Sequence, residues 1–256
     1  MSRLLYILCI VWSCFPVSAV AQSSDTQRVL FDKATENYNT GNYQTAIGEY
    51  QKIIQSGYES SSLYYNLANA HYKLNQLPES IYYYEKALKL NPEDEDVRNN
   101  LSFAQQMTID VITPLPQTWL KRVSDSITSW FTIHIWQLFP IIGVFLFVIF
   151  FLLYYFFQQT MLKRIFFTAM GISLLGSIGT YFIADFHKKN IDSQEFAILF
   201  DNTVRVYTEP NTYSTEAFIL HQGTKVGLLE NLNEWVKIRL ADGKTGWVKR
   251  SVLRVI

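Results

Sequence analysis

Two stretches of twenty residues, 138–157 and 165–184, contain no charged side chain. At about 1.5 Å of rise per residue, a helix of that length crosses the roughly 30 Å hydrocarbon layer of a bilayer. A buried core helix is seldom apolar all round for so long, and two in succession predict two transmembrane helices. The connection, residues 158–164, is short, so the helices form a hairpin. Pro140 and Gly143 near the start of the first span are tolerable in lipid. The second span carries Ala169, Ser173 and Ser177 at i, i+4 and i+8, with Gly176 and Thr180 beside them. That stripe permits close helix contact, either within the hairpin or against a partner's transmembrane helix. No ionisable residue interrupts either span, which speaks against a proton or ion pathway.

The other sequence features are compatible with a membrane setting. Arg3, the apolar run 4–12 and Ala19-Val20-Ala21 have the form of a secretory signal (residues 1–21) cleaved before Gln22. Both cysteines, Cys9 and Cys14, lie inside it, so the exported chain is expected to hold no thiol and no disulfide. A lipoprotein signal ending at Cys14 is the competing reading, and Trp12 fits it poorly. Within the linker 111–137, Pro114 and Pro116 break the chain. Trp119, Val123, Ile127, Trp130 and Phe131 then recur at helical spacing, with Lys121, Arg122, Asp125 and Ser126 between them. This predicts an amphipathic helix, lying at the membrane interface or packed on the domain before it.

Residues 28–92 repeat with a period of 34: Ala34 aligns with Ala68, Tyr38 with Tyr72, Ala46 with Ser80, Tyr50 with Tyr84, and Ile53 with Ala87. That is the period of a helix–turn–helix solenoid unit. The small members let helices approach, and the tyrosines fill the space beside them. Gly41 supplies a turn, Pro78 suits a first helical turn, and Asn91-Pro92 stops the second unit. Residues 93–107 carry Val97, Leu101 and Ala104 at helical spacing behind an acidic start, as a closing helix would.

Tyr64, Leu67, Ala68, Ser80, Tyr84, Ala87 and Pro92, with Ala34, Gly41, Tyr43, Ala46 and Tyr50, resemble the tetratricopeptide repeat family. The resemblance implies an all-α solenoid of two repeats plus a capping helix (22–110), binding peptides or partner helices in a concave groove. The groove positions it implies are Phe31, Thr35, Tyr38, Tyr65, Asn66, Asn69, Tyr72 and Lys73. Packing helix against helix is the alternative role for each of the tyrosines. In members that clamp a terminal carboxylate with Lys and Asn, Asn66 matches one Asn, whereas Phe31 and Thr35 stand where a Lys and an Asn are expected.

After residue 193 the pattern changes to short β-branched and aromatic runs: 196–200, 204–207, 224–229, 235–240 and 246–248, with turns at 231–233 and at Asp242-Gly243. Five strands in about sixty residues suit a small barrel. Val204-Arg205-Val206, Pro210, Gly223, Val226, Trp235-Val236-Lys237-Ile238, Asp242-Gly243, Gly246-Trp247-Val248 and Leu253 resemble bacterial SH3-like domains. The resemblance implies an all-β SH3-like barrel (194–256) that binds wall peptides or acts as a spacer. Tyr207, Trp235 and Trp247 are its candidate groove, with core packing the alternative for Trp247.

Nothing points to catalysis. His71, His134, His187 and His221 are scattered, and no phosphate loop, nucleophile elbow or metal-ligand spacing occurs. No catalytic residue, cofactor or metal is therefore expected. Formal net charge is zero. Residues 22–110 hold seven Lys and Arg against twelve Asp and Glu, and residues 195–256 hold eight against seven, which gives no nucleic-acid surface.

The order of signal, repeats, hairpin and barrel resembles BatE-like proteins of the Bacteroidetes aerotolerance operon. That resemblance implies a non-enzymatic scaffold in a bacterial envelope complex linked to aerotolerance or stress. It implies partners among other Bat-operon products with von Willebrand A domains; the spans add the lipid bilayer, and the barrel leaves open the alternative of a peptidoglycan-binding or wall-sensing protein acting through the SH3-like domain. An exported N-terminus and an even number of spans place both soluble domains in the periplasm of a two-pass inner-membrane protein. The turn 158–164 is then cytoplasmic. Lys163 and Arg164 agree with that and Lys188 and Lys189 oppose it. The two soluble domains, separated by chain in lipid, are expected to share little core.

Overall fold

The computed structural model describes residues 21–192 and 195–256. The signal segment with Cys9 and Cys14 lies outside the described residues. From Ala21 to Gln106 the chain forms five helices: α1 Ala21–Asn39, α2 Tyr43–Gln55, α3 Ser61–Lys73, α4 Leu77–Leu90 and α5 Glu95–Gln106. Each turn has a local cause. Gly41 (φ +83°) and Gly57 (φ +86°) occupy left-handed backbone after α1 and α2. Asn75 (φ 57°) does so after α3, and asparagine tolerates that region better than most residues. Ser60 caps α3 by accepting from the Leu63 amide at 3.1 Å, and Asp94 caps α5 by accepting from Val97 at 3.2 Å.

The 34-residue period reappears as paired burial. Ala34 and Ala68 are fully covered, as are Ala46 and Ser80, and Tyr50 and Tyr84 fill the space beside them. Glu49 is a buried charge between α1 and α2. Lys33 Nζ meets its Oε1 at 2.6 Å and Asn37 Nδ2 donates to its Oε2 at 2.8 Å, so the carboxylate is paired and hydrogen-bonded as burial requires.

The C-terminal part is one seven-stranded antiparallel sheet in the order β3-β2-β6-β5-β4-β1-β7. Its strands are β1 Phe196–Leu199, β2 Thr203–Tyr207, β3 Glu216–His221, β4 Lys225–Leu232, β5 Trp235–Arg239, β6 Thr245–Lys249 and β7 Leu253–Val255. Leu220 from one edge strand and Leu253 from the other share a single core with Val204, Val206, Val226, Val236, Ile238 and Val248. The sheet must therefore curl on itself, in the manner of an SH3-like barrel. Two strands exceed the five expected. β3 buries only Leu220 fully, and β7 has three residues, so neither carries the alternation that marks a half-buried strand.

The expectation of two domains with little shared core is corrected by β1. Ala197 and Leu199 point into the barrel core, while Ile198, equally buried, joins the cluster of Tyr64, Ala68, Ile81, Tyr84, Ala87 and Leu101. One strand thus serves two cores from its two faces. Around it, the Phe200 ring meets Tyr82 edge-on at 5.9 Å and lies under Arg254 at 4.1 Å. Lys225 Nζ bonds Glu85 Oε2 at 2.6 Å, and Lys89 Nζ donates to the Ile256 carbonyl at 2.7 Å.

The segment after α5 is also tied down. Asp110 bonds His221 and Thr224, Ile112 packs on the barrel core, and the Leu115 amide donates to the Ala241 carbonyl at 3.0 Å. The first part of the expected linker 111–137 is therefore a strap across the barrel.

Between strap and barrel lie α6 Trp119–Thr128, α7 Ile133–Phe156 and α8 Thr160–Asp192. α7 and α8 are both long and apolar enough to cross a membrane. Among the described residues they pack chiefly on each other, and their outward side chains stand open: Phe145 is 66% exposed and Leu175 72%, the arrangement expected for candidate membrane spans. α7 begins before its uncharged run and stops at Phe156, and α8 begins at Thr160, well before its own, leaving three residues, 157–159, between them. Ser173 Oγ donates to the Gly143 carbonyl at 2.7 Å and Ser177 Oγ to the Pro140 carbonyl at 2.8 Å. Those two members of the small-residue stripe are thus spent within the hairpin.

Candidate functional site: a tyrosine-lined cleft

The helices that begin each repeat, α1 and α3, stand beside α5 and enclose a cleft of about 230 Å³. Tyr38 from α1, Tyr65, Asn69, Tyr72 and Lys73 from α3, Tyr84 from α4, and Asn100 and Phe103 from α5 line it. The barrel docks elsewhere, on α4, so the cleft stays open.

An amide network forms its floor. Asn69 Oδ1 accepts from the Tyr84 hydroxyl at 2.5 Å and from Asn100 Nδ2 at 3.0 Å, and the same Nδ2 lies 3.0 Å from Tyr65 Oη. Burial pushes the Tyr84 hydroxyl pKa up, with the nearby Tyr65 adding to it, so at neutral pH Tyr84 keeps its proton and donates. Burial also raises Tyr38, with contributions from Tyr43 and Tyr65. With its carbonyl oxygen occupied twice, Asn69 presents its amide nitrogen. Lys73 is exposed at the rim and makes no ion pair among the described residues. Aromatic walls, amide donors, one cation and no carboxylate favour an extended peptide that brings apolar side chains and an acidic group.

Of the eight expected groove residues, Tyr38, Tyr65, Asn69, Tyr72 and Lys73 line this cleft. The other three sit further along α1 and α3. Phe31 packs on the Tyr50 ring at 5.7 Å, Thr35 Oγ1 bonds Tyr50 Oη at 3.0 Å, and Asn66 lies beside the same hydroxyl, where it opposes the rise that burial gives the Tyr50 pKa. They hold α1, α2 and α3 together at a fully buried tyrosine. Sequence reading missed Tyr84, Asn100 and Phe103. Asn100 and Phe103 belong to the closing helix, read there for its apolar stripe alone, although Asn100 lies 31 residues from the Asn69 it bonds.

On the barrel, Tyr207, Trp235 and Trp247 do meet. Tyr207 and Trp235 pack edge to face at 5.6 Å, Tyr207 pairs with Trp247 across β2 and β6, and Lys237 Nζ lies 5.7 Å from the Trp247 ring centre. All three are on the sheet face opposite the barrel core. Trp235 and Trp247 are 6% and 8% exposed, so they form a packed platform rather than the walls of an open groove.

The histidines serve separate purposes. His71 is buried, bonded through Nδ1 to Gln76 Oε1 at 2.6 Å and stacked on Tyr83 at 5.5 Å. Burial lowers its pKa against the opposing Gln76 bond, so it is a neutral packing element. Among the described residues, no three His, Cys, Asp or Glu side chains group as a metal site would require.

Comparison with known proteins agrees with this reading of the modules. Residues 61–94 match the tetratricopeptide repeat model, covering α3 and α4. Residues 202–254 match the bacterial SH3 domain model, covering β2 to β7. A search of curated proteins returned no match. Among solved structures, the chain is similar to the TPR2AB-domain:pHSP90 complex of yeast Sti1, with 17% identity and a TM-score of 0.30. The match covers 65% of this chain and 64% of that one, a loose likeness.

Proposed function

We propose that this protein is a non-catalytic, membrane-anchored scaffold whose repeat cleft captures an acidic, aromatic- or proline-containing segment of another envelope protein. The observation that carries the reading is the cleft's donor set: the Asn69 amide, Lys73 and the tyrosine hydroxyls stand against apolar ring walls, with no acidic group lining the site. Neither module type is ordinarily catalytic, and the two apolar helices supply the anchor. Because repeat and barrel share a core, they lie on one side of the membrane, and an exported N-terminus makes that side the periplasm. The resemblance to BatE-like proteins makes proteins with von Willebrand A domains the first partners to test, in a complex serving aerotolerance or stress.

A photo-crosslinking residue placed at Tyr72 of the full chain, in native membranes, tests this. Crosslinks to a membrane protein are expected, and Lys73→Glu should abolish them without changing helicity. The same residue at Tyr213, 98% exposed on the barrel, is the control. Equal products at both positions, or full capture by Lys73→Glu, refute the cleft as the binding site. Loss of one anchoring contact in such a site is worth about 1–2 kcal/mol, a five- to thirty-fold weaker complex.

A further inference from the structure

Helix α6 has its faces reversed for a helix in water. Ser124, Asp125 and Thr128, on its polar side, are half-covered, and the Thr128 carbonyl accepts from Trp136 Nε1 at 3.2 Å. Its apolar side is the open one: Trp119 is 65% exposed, Leu120 62% and Val123 49%. No α6 residue is buried against the repeats or the barrel, which removes the alternative of packing on the preceding domain. At 100° per residue, Trp119, Leu120, Val123 and Ile127 share one side, with Arg122 on one flank of it and Lys121 on the polar side beside Thr128 and Asp125. The next residues continue the stripe. Trp130 is 69% exposed, and Phe131 packs edge-on against Trp136 and Phe139 at the mouth of α7.

We infer that the Trp119–Leu120–Val123–Ile127 side of α6 lies in the headgroup layer of the same bilayer that α7 and α8 cross, so that the repeat–barrel unit is held flat against the membrane surface. Continuity identifies the occupant. The apolar side of α6 runs through Trp130 and Phe131 into the first span, and the Trp136–Thr128 bond fixes the corner. Arg122 is placed to reach up to lipid phosphates from one flank, as long basic side chains do. The connections are short as well. The Leu115 amide is bonded to the barrel, and Trp119 begins α6, four steps that span at most about 14 Å at ~3.6 Å each. Four steps also separate Asp192 from Phe196. The unit therefore cannot stand far from the surface, and the cleft on α1, α3 and α5 faces partners close to the membrane. This rests on the membrane-anchor reading but not on any ligand of the cleft.

Spin labels on single cysteines test the proposal in the full chain with Cys9 and Cys14 replaced by serine. The protein is reconstituted in nanodiscs of phosphatidylcholine with phosphatidylglycerol. Val123→Cys probes α6, Val144→Cys the middle of α7, and Tyr213→Cys a water-facing loop. At Val123, collisions with oxygen should exceed those with a water-soluble nickel chelate, giving a value between those of Val144 and Tyr213. A Val123 label as accessible to the chelate as Tyr213, with Val144 in lipid, overturns the α6 contact. A Val144 label exposed to the chelate overturns the membrane anchor itself and the α6 contact with it.

Discussion

The Asp110 carboxylate joins the two soluble modules through His221. Its Oδ1 lies 2.8 Å from His221 Nδ1, and its Oδ2 accepts from the His221 backbone amide and from Thr224 Oγ1, both at 2.6 Å. Asp110 closes the repeat domain and His221 ends the β3 edge, 111 positions further along the chain. The side chain of Asp110 is 12% exposed. Asp110→Ala leaves the His221 ring nitrogen, the His221 amide and Thr224 Oγ1 without this acceptor, at about 1–3 kcal/mol for each covered donor left unpaired. The expected outcome is faster amide exchange in residues 108–116 and at His221, with the exchange of α2 unchanged. Uniform acceleration through the whole chain would show that Asp110 serves global stability rather than docking.

The same carboxylate predicts an acid limit for docking. Burial alone would raise its pKa, but the bonds from the His221 ring, Thr224 and the His221 amide outweigh burial and hold it below the ordinary 3.8. A group depressed on folding contributes stability that is fully present above its unfolded value and is lost as pH falls through its folded value. The strap should therefore stay docked from neutral pH to about pH 4, and loosen below that. The difference in strap exchange between the native chain and Asp110→Asn should shrink as pH falls below 4. A difference that is constant from pH 6 to pH 3 rules the mechanism out.

Ile198 is the apolar counterpart. It is fully buried against the repeat helices, not within the barrel. Ile198→Ala should cost about 2–5 kcal/mol, felt in α4 as well as in β1. Measured by hydrogen exchange, α4 and β1 should lose protection together. If only the barrel strands respond, the modules are energetically independent. For the same reason, a fragment ending at Gln106 should expose Ile81 and Tyr82 and be less stable than the repeats in the full chain.

The hairpin turns on Gly143. A Cβ there would sit 2.7 Å from Ser177 Cβ, closer than such atoms approach, and 3.1 Å from its Cα, a tight contact. Gly143→Leu should splay α7 from α8 and break both serine bonds. Ser177→Ala, which keeps the contact and loses one bond, should cost only about 0.6 kcal/mol. Disulfide trapping between cysteines at Pro140 and Ser177 reads the separation. Equal trapping with and without Gly143→Leu would show that the close approach is not obligatory.

The chain's local chemistry settled most of its architecture in advance. Two uncharged runs define two apolar helices long enough to cross a bilayer, where the backbone must satisfy its own hydrogen bonds. A 34-residue recurrence of Ala and Tyr defines stacked helical pairs, because the small positions must coincide where helices touch. Alternating β-branched runs punctuated by Asp242-Gly243 define a small antiparallel sheet. Five cleft residues, Tyr38, Tyr65, Asn69, Tyr72 and Lys73, were legible through the tetratricopeptide resemblance, which assigns positions of the repeat to one side of α1 and α3. Tertiary structure alone decided what crosses from one module to another. The pattern 196–200 reads as a strand, but only the docked repeats explain why Ile198 is as covered as Ala197 and Leu199. Asp110 and His221, or Asn69 and Asn100, carry no local mark of their pairing, because a hydrogen bond between distant segments leaves no periodicity in either. Local periodicity encodes which face of an element is apolar; which neighbour covers that face is set by packing over the whole chain.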